Sequence, residues 1–224
     1  MIIEDITVTV EKKNIKHMYI RIIPPEGDVK VSAPLHCSDE DIIKFVESKK
    51  EWILKKQKYI LENDIKAPLK YDNGEKHRLW GQEYRLQLIS NANVKHVVLD
   101  RQKSVMYLPV PKRSTIDKRK NVLDEFYRHE LKATIPEVLD KCTRIVGRTP
   151  KSVTVRKMKN WGNCKQDGRI TLNLNLAKKD NECLEYVMIH ELCHLIEFNH
   201  GKNFKKLMDK FCPNWKEIKK RLNE

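Results

Sequence analysis

The chain has 224 residues and a mass of 26.6 kDa, enough to bury a sizeable core as one large domain or two small ones. Its formal net charge of +14 fits either solvated lysine-rich helix faces or an electrostatic footprint for nucleic acid, although no nucleic-acid motif accompanies the charge. We expect no membrane association, because no apolar run approaches the roughly 18 residues of a transmembrane helix and no signal-peptide cleavage site follows the N-terminus.

The first 111 residues predict a strand-rich α+β module. Apolar and polar residues alternate in three short stretches, which indicates strands near residues 6–10, 18–22 and 29–33. Ser38 followed by three acidic residues is typical of a helix start, and the apolar spacing extends this helix to about Glu62. Further strands are expected near residues 78–89, 94–99 and 105–110. This module contains no catalytic constellation of its own.

Residues 112–224 form the second predicted domain, which follows a boundary marked by two prolines near residue 110. A long helix is expected over residues 115–146, where Pro136 can introduce a kink. Alternating apolar residues then predict two strands, near residues 153–155 and 170–176. The second strand leads directly into a mostly apolar helix that begins near residue 181.

The stretch from Asn181 to His200 carries the chemistry of the chain. Its apolar residues recur at helical spacing, so this helix is expected to be largely buried. His190, Glu191 and His194 form an H-E-x-x-H motif, in which the two histidines lie four residues apart on one helical face. Two core histidines beside a surface glutamate would be the alternative interpretation. The apolar setting and the later histidine favour a divalent metal site, and imidazole ligands favour zinc.

The third metal ligand is either His200 or Glu197. In a continuous helix His200 would lie about 15 Å along the axis from His190, so it reaches the metal only if the helix stops after His194. The residues on either side of His200 are asparagine and glycine, which tolerate left-handed conformations and favour such a stop. Glu197 would instead require ligands from three successive helical turns, so His200 is the preferred ligand.

Four segments of the second half share the pattern of a known family. They are W-G-N-C at 161–164, G-R-I-T-L-N at 168–173, Y-V-M-I-H-E-L-C-H-L at 186–195 and N-H-G-K-N-F at 199–204. In these segments the chain resembles the YgjP-like metallopeptidase family, which is related to the SprT-like zinc peptidases. The resemblance implies a minimal zincin-like (gluzincin-like) metallopeptidase domain, with the zinc ion on the three histidines and Glu191 as the general base. It also implies that the strand at 170–176 borders the cleft and can pair with an extended substrate.

Trp161, Asn163 and Asn173 are candidates for lining that cleft. Asn163 stands where the family usually has serine, so no role that needs a hydroxyl group can be assigned to this position. A packed tryptophan in a tight glycine turn is the alternative interpretation of Trp161, and it is about as well supported by the sequence.

These residues favour a zinc-dependent metallopeptidase that hydrolyses a protein or peptide substrate. Zinc would polarise the scissile carbonyl and lower the pKa of a water molecule, and Glu191 would accept the proton. The same chemistry allows a metal-dependent hydrolase of a non-peptide substrate such as a nucleoside triphosphate. A nucleic-acid-associated module with a structural metal is a third interpretation, but Glu191 argues against it because a structural site needs no base.

The cysteines bear on where this chemistry takes place. The chain has six of them and no C-x-x-C pair. In a chain of this length without a secretion signal, they are expected to be reduced thiols, which predicts a cytoplasmic protein. The sequence does not determine the oligomeric state.

Overall fold

A computed structural model of the protein describes residues 1–63, 67–90 and 93–223. These residues form two compact units, Met1–Leu69 and Lys70–Glu224. The boundary expected near residue 111 therefore falls inside the second unit. The physical reason is that the strands before residue 111 bury Leu86, Met106 and Leu108 in the same hydrophobic core as the H-E-x-x-H helix.

The first unit contains a four-stranded sheet and two helices. Its strands are β1 (Ile2–Ile3), β2 (Ile6–Lys13), β3 (Tyr19–Ile23) and β4 (Asp28–Pro34). The sheet order is β1-β2-β4-β3, with β2 and β4 parallel and the other pairs antiparallel, so β3 lies at one edge. Side chains on one face of this sheet, among them Val8 and Val31, form a core with apolar residues of the two helices.

Two helices replace the single one expected from the sequence, namely α1 (Asp39–Glu47) and α2 (Lys50–Glu62). A capping box begins α1, because the Ser38 hydroxyl accepts a hydrogen bond from the backbone of Asp41 and the Asp41 carboxylate accepts one from the backbone of Ser38. The interruption falls at Ser48, whose hydroxyl donates to the carbonyl oxygen of Phe45 at 2.7 Å. Such local side-chain bonds compete with the continuing helical ladder.

The second unit begins with another four-stranded sheet. Its strands are β5 (Lys76–Leu79), β6 (Gln82–Ile89), β7 (Val98–Asp100) and β8 (Val105–Pro109), in the order β5-β6-β8-β7. The long helix α3 (Ile116–Val146) follows, as the sequence predicts. Thr115 caps its N-terminus, and Gly147 ends it in the left-handed conformation at φ 70°.

A three-stranded sheet then leads into the motif helix. Its strands are β9 (Ser152–Arg156), β10 (Gly162–Cys164) and β11 (Arg169–Asn173), in the order β10-β11-β9. The strand expected over 170–176 stops at Asn173, and Leu174–Lys178 form a 3₁₀ helix instead. The Asn173 side chain causes this change, because its oxygen accepts a hydrogen bond from the backbone of Asn175 at 3.0 Å and caps the 3₁₀ helix.

Three helices complete the second unit: α4 (Asn181–Cys193), α5 (Lys202–Phe211) and α6 (Trp215–Asn223). The core lies mainly between α3 and α4, where Leu131, Leu184 and Met188 are fully buried. All six cysteines are free thiols. Among the described residues, no helix combines the length and the apolar character needed to cross a membrane.

Candidate metal centre

Helix α4 carries the H-E-x-x-H motif through the middle of the core. The Asp180 carboxylate caps its N-terminus by accepting a hydrogen bond from the backbone of Cys183 at 2.9 Å. Most of its side chains are buried, whereas His190 and His194 are only partly buried. The helix ends at Cys193 with His194 as its C-cap, as ligation by His200 requires. Asn199 and Gly201 do not cause the stop, because they follow it and neither is left-handed. This stop frees the chain to fold back toward His190.

The turn after α4 brings the third histidine to the first two. The backbone of Glu197 donates to the carbonyl of Cys193 at 2.9 Å, which closes one further turn after the helix. Nε2 of His200 then lies 3.0 Å from Nε2 of His190. Ring nitrogens of His190, His194 and His200 all lie within 4.8 Å of one another, and the Glu197 carboxylate is outside this group. The structure therefore assembles the preferred three histidines rather than the alternative set.

The backbone of the same turn orients His194. Its Nδ1 lies 3.3 Å from the carbonyl oxygen of Glu197, a contact in which Nδ1 carries the proton and donates. Nε2 is then left unprotonated and available to a metal ion, which is the arrangement found around metal-binding histidines. Glu197 thus contributes through its backbone, while its carboxylate accepts a hydrogen bond from the backbone of Asn199.

Phe204 of α5 supports all three imidazoles. Its ring centroid lies 4.8 Å from that of His190, 4.6 Å from that of His194 and 4.7 Å from that of His200. Phe204 is itself 3% exposed, so the rings rest on a rigid part of the core. Such packing restricts the orientations that the three rings can take.

Glu191 lies against strand β10. It is 4% exposed, and its carboxylate is close to the backbone of Gly162 and hydrogen-bonds with the backbone of Cys164. A Cβ atom built on Gly162 would lie only 2.3 Å from Oε1 of Glu191. The carboxylate therefore fits at this position only because residue 162 has no side chain.

These groups meet in a cleft of about 720 Å³. One wall is the segment 159–164, which includes Trp161 and Asn163, and helix α6 adds Lys219, Leu222 and Asn223. The indole nitrogen of Trp161 donates to the side-chain oxygen of Asn223 at 3.1 Å, so the two walls are joined. The cleft gives a substrate access to the histidines and to Glu191.

Comparison with known proteins identifies the family. Residues 16–224 match the family described as YgjP-like, metallopeptidase domain. The chain belongs to the YgjP-like family. Among solved structures, the metallopeptidase zymogen abylysin of Pyrococcus abyssi is similar at 27% identity and a TM-score of 0.37, covering 39% of this chain and 90% of its own. No curated protein matches the chain. The family match confirms the predicted enzyme class, a metallopeptidase.

Burial sets the protonation of the groups in this YgjP-like site. Burial, together with the two neighbouring histidines and Lys219, lowers the pKa of His190 to about 3, and burial also lowers the pKa of His194. Both imidazoles are therefore neutral at pH 7, the form that binds a cation. Burial raises the pKa of Glu191 to about 8, against the opposing effect of the Cys164 backbone. A nearby cation would favour the ionised carboxylate.

Two expectations about the cleft need correction. Asn173 does not line it, because its amide nitrogen donates to the carbonyl oxygens of Met158 and Asn160, both at 2.8 Å, and the residue is 3% exposed. The strand that borders the cleft is β10 rather than β11. In the described part of the chain, β11 lies between β9 and β10 and has no free edge, whereas β10 is an edge strand.

Several residues of the site were not predicted from the sequence. The sequence indicates a turn at Gly162 but not its contact with Glu191, because the two residues are 29 positions apart in the chain. Lys159 and Lys219 are two lysines among many in the sequence, and only the fold places both at the cleft. Phe198 is 48% exposed and also lines the cleft, where it offers apolar contact to a substrate. Two of these residues had a signal in the family pattern, since Gly162 belongs to the W-G-N-C segment and Phe204 completes the N-H-x-x-x-F segment.

Proposed function

We propose that this protein is a zinc-dependent peptidase whose zinc ion is held by His190, His194 and His200, with Glu191 as the general base. The observation that carries the proposal is the convergence of three ring nitrogens and one buried carboxylate on a single cleft. The proposal includes a minimal, gluzincin-like zincin domain within the second unit, with the metal motif on the buried helix α4.

The donor set fits zinc. Three imidazoles are ligands that zinc accepts readily, and three protein ligands leave one position open in a catalytic site. A zinc ion bound here supplies a Lewis acid that polarises a carbonyl group and lowers the pKa of water. His190 and His194 are neutral, and neutral ligands leave the charge of such an ion available to the substrate.

Glu191 acts as the proton acceptor and donor. Its carboxylate is held beside the histidines by the backbone of β10, and burial keeps its affinity for protons high. A carboxylate in this position accepts a proton from the attacking water and then transfers it to the leaving amine. A cation bound by the histidines would favour the ionised form of this carboxylate, which is the form that accepts a proton.

Strand β10 provides a place for an extended peptide. Its residues 162–164 line the cleft, and one of its edges is unpaired within the described chain. A peptide that pairs with this edge receives backbone hydrogen bonds irrespective of its sequence. Phe198, which is 48% exposed, supplies apolar surface for substrate side chains in the same cleft.

Hydrolysis of a nucleoside triphosphate is the second candidate, and one observation favours it. Among the described residues, Lys159 and Lys219 are the charged side chains that line the cleft besides Glu191, and both suit an anionic substrate. An acidic peptide satisfies the same charge. A structural metal site in a nucleic-acid-associated module is less consistent with the open cleft beside the histidines.

Replacement of the base tests the proposal. The zinc-loaded protein and its Glu191→Gln variant are incubated with denatured proteins and, separately, with nucleoside triphosphates. We expect cleavage of the proteins by the parent and a loss of about 10² to 10⁴-fold in the variant, with unchanged zinc content. Wild-type turnover by the variant would exclude Glu191 as the base, and turnover of nucleotides alone would exclude the peptidase.

A further inference from the structure

The first unit contains a groove that the proposed catalytic function does not use. It has a volume of about 660 Å³ and runs between the edge strand β3 and helix α2. Ile20 and Ile22 of β3 contribute to one wall, and Trp52 and Tyr59 of α2 contribute to the other. The groove is therefore lined by large apolar side chains on both sides.

The helical wall exposes a stripe of aromatic residues. Trp52, Lys56 and Tyr59 have the i, i+4, i+7 spacing that places them on one face of α2. Trp52 is 44% exposed and Tyr59 is 53% exposed, although both are among the largest apolar side chains. Exposed aromatic residues grouped in a groove are typical of a binding surface rather than of a solvated helix face.

The groove is built on a rigid frame. The adjoining face of α2 buries Ile53 completely in the core of the unit. Gln57 also donates from its side-chain nitrogen to the carbonyl oxygen of Gly27 at 2.9 Å, which ties α2 to the turn between β3 and β4. A preformed groove loses little conformational entropy when it binds a ligand.

The strand wall offers unpaired backbone groups. β3 pairs with β4 on one side, and among the described residues no strand pairs with its other side. Such an edge presents N–H and C=O groups that a second extended chain can use. Ile20 and Ile22 remain half-buried beside this edge, so an added strand would find apolar contacts there as well.

The rim of the groove is positively charged. Lys13, Arg21, Lys30 and Lys56 line it, and among the described residues Glu11 is its only acidic one. Glu11 already pairs with Lys13 at 3.0 Å and with Lys30 at 2.9 Å. Arg21 and Lys56 have no carboxylate within ion-pair distance in the described part of the chain, so they are available to an acidic ligand.

We propose that the first unit docks an extended acidic peptide segment, which adds to β3 as a new strand. Alternate apolar side chains of the peptide enter the groove beside Trp52 and Tyr59, and its carboxylates pair with Arg21 and Lys56. A polypeptide fits these features better than single-stranded nucleic acid does, because only a polypeptide can use the unpaired edge of β3. This site is separate from the metal centre and does not depend on the peptidase activity.

A binding titration with matched variants tests the proposal. The probe is a fluorescein-labelled peptide of about ten residues in which glutamate alternates with valine and isoleucine. It is titrated with full-length protein carrying Glu191→Gln. We expect Lys56→Glu to weaken binding about five- to tenfold and Lys55→Glu to change it less than about twofold. Lys55 is its exposed neighbour outside the groove and undergoes the same change in net charge.

A second pair of variants tests the aromatic wall. Trp52→Ala should weaken binding about tenfold or more, because buried aromatic anchors dominate such interfaces. Leu54→Ala should have little effect, since Leu54 is 47% exposed on the same helix but does not line the groove. Equal effects of the two changes, or of Lys55→Glu and Lys56→Glu, would show nonspecific association and overturn the proposal.

Hydrogen exchange determines the binding mode. Strand addition should protect backbone amides within Tyr19–Ile23 from exchange when the peptide is bound. The proposal is overturned if the peptide does not bind, or if it binds without protecting this strand. It is also overturned if an oligothymidine of equal length binds more tightly than the peptide and is equally sensitive to Lys56→Glu, because the groove would then be a site for single-stranded nucleic acid.

Discussion

The contact between Gly162 and Glu191 gives the sharpest test of the catalytic site. An alanine Cβ at position 162 would lie 2.3 Å from Oε1 and 2.8 Å from Cδ of Glu191. Ordinary contacts begin near 3.4 Å, so the carboxylate must retreat by about 1 Å or β10 must shift. A displacement of about 1 Å in a reacting group costs about 100-fold in rate. The three histidines are untouched, so zinc binding should persist.

The assay compares Gly162→Ala with Gly201→Ala in the zinc-loaded protein. Gly201 directly follows His200, but a Cβ atom there would have no neighbour within 4 Å. Neither glycine has a positive φ, so alanine introduces no backbone strain at either position. We expect kcat to fall about 100-fold for Gly162→Ala and to change little for Gly201→Ala. Near-wild-type kcat for Gly162→Ala, with full zinc content, would refute the argument that this glycine positions the base.

Three further predictions concern the metal and the base. His200→Ala should greatly weaken zinc binding while Glu197→Ala leaves it nearly intact; metal analysis of the purified variants checks this, and the reverse result would make Glu197 the ligand. Phe204→Ala should lower zinc affinity about 10- to 100-fold by loosening the three imidazoles, as measured by competition with a chromophoric chelator; unchanged affinity would show that the ring is not needed to orient them. In the metal-free protein Glu191 stays protonated up to about pH 8, whereas in the unfolded chain it ionises above about pH 4.5, so its contribution to stability is lost as the pH rises from about 4.5 toward about 8. Urea unfolding in chelator should therefore find Glu191→Gln more stable than wild type by about 3 kcal/mol at pH 7 and by under about 1 kcal/mol at pH 5; a difference independent of pH would contradict the assigned pKa.

The sequence by itself determined the local features of the site. Helical spacing and the H-E-x-x-H motif predicted α4, and the need to bring His200 to the other histidines predicted that the helix stops near His194. Thr115 and the glycine after residue 146 likewise bounded α3 correctly. The periodicity and capping signals succeed because they act between residues only a few positions apart. The expected termination signal at Asn199 and Gly201 failed, because neither residue adopts a left-handed conformation and the helix ends earlier.

Only the tertiary structure decided which distant residues meet. It placed Gly162 against Glu191, gave the free edge beside the cleft to β10, and turned Asn173 into a buried brace for the segment 158–160. It also joined the strands before residue 111 to the core of the second unit. Strand order and close backbone contacts depend on how whole surfaces pack against one another. The spacing of residues along the chain does not predict that packing.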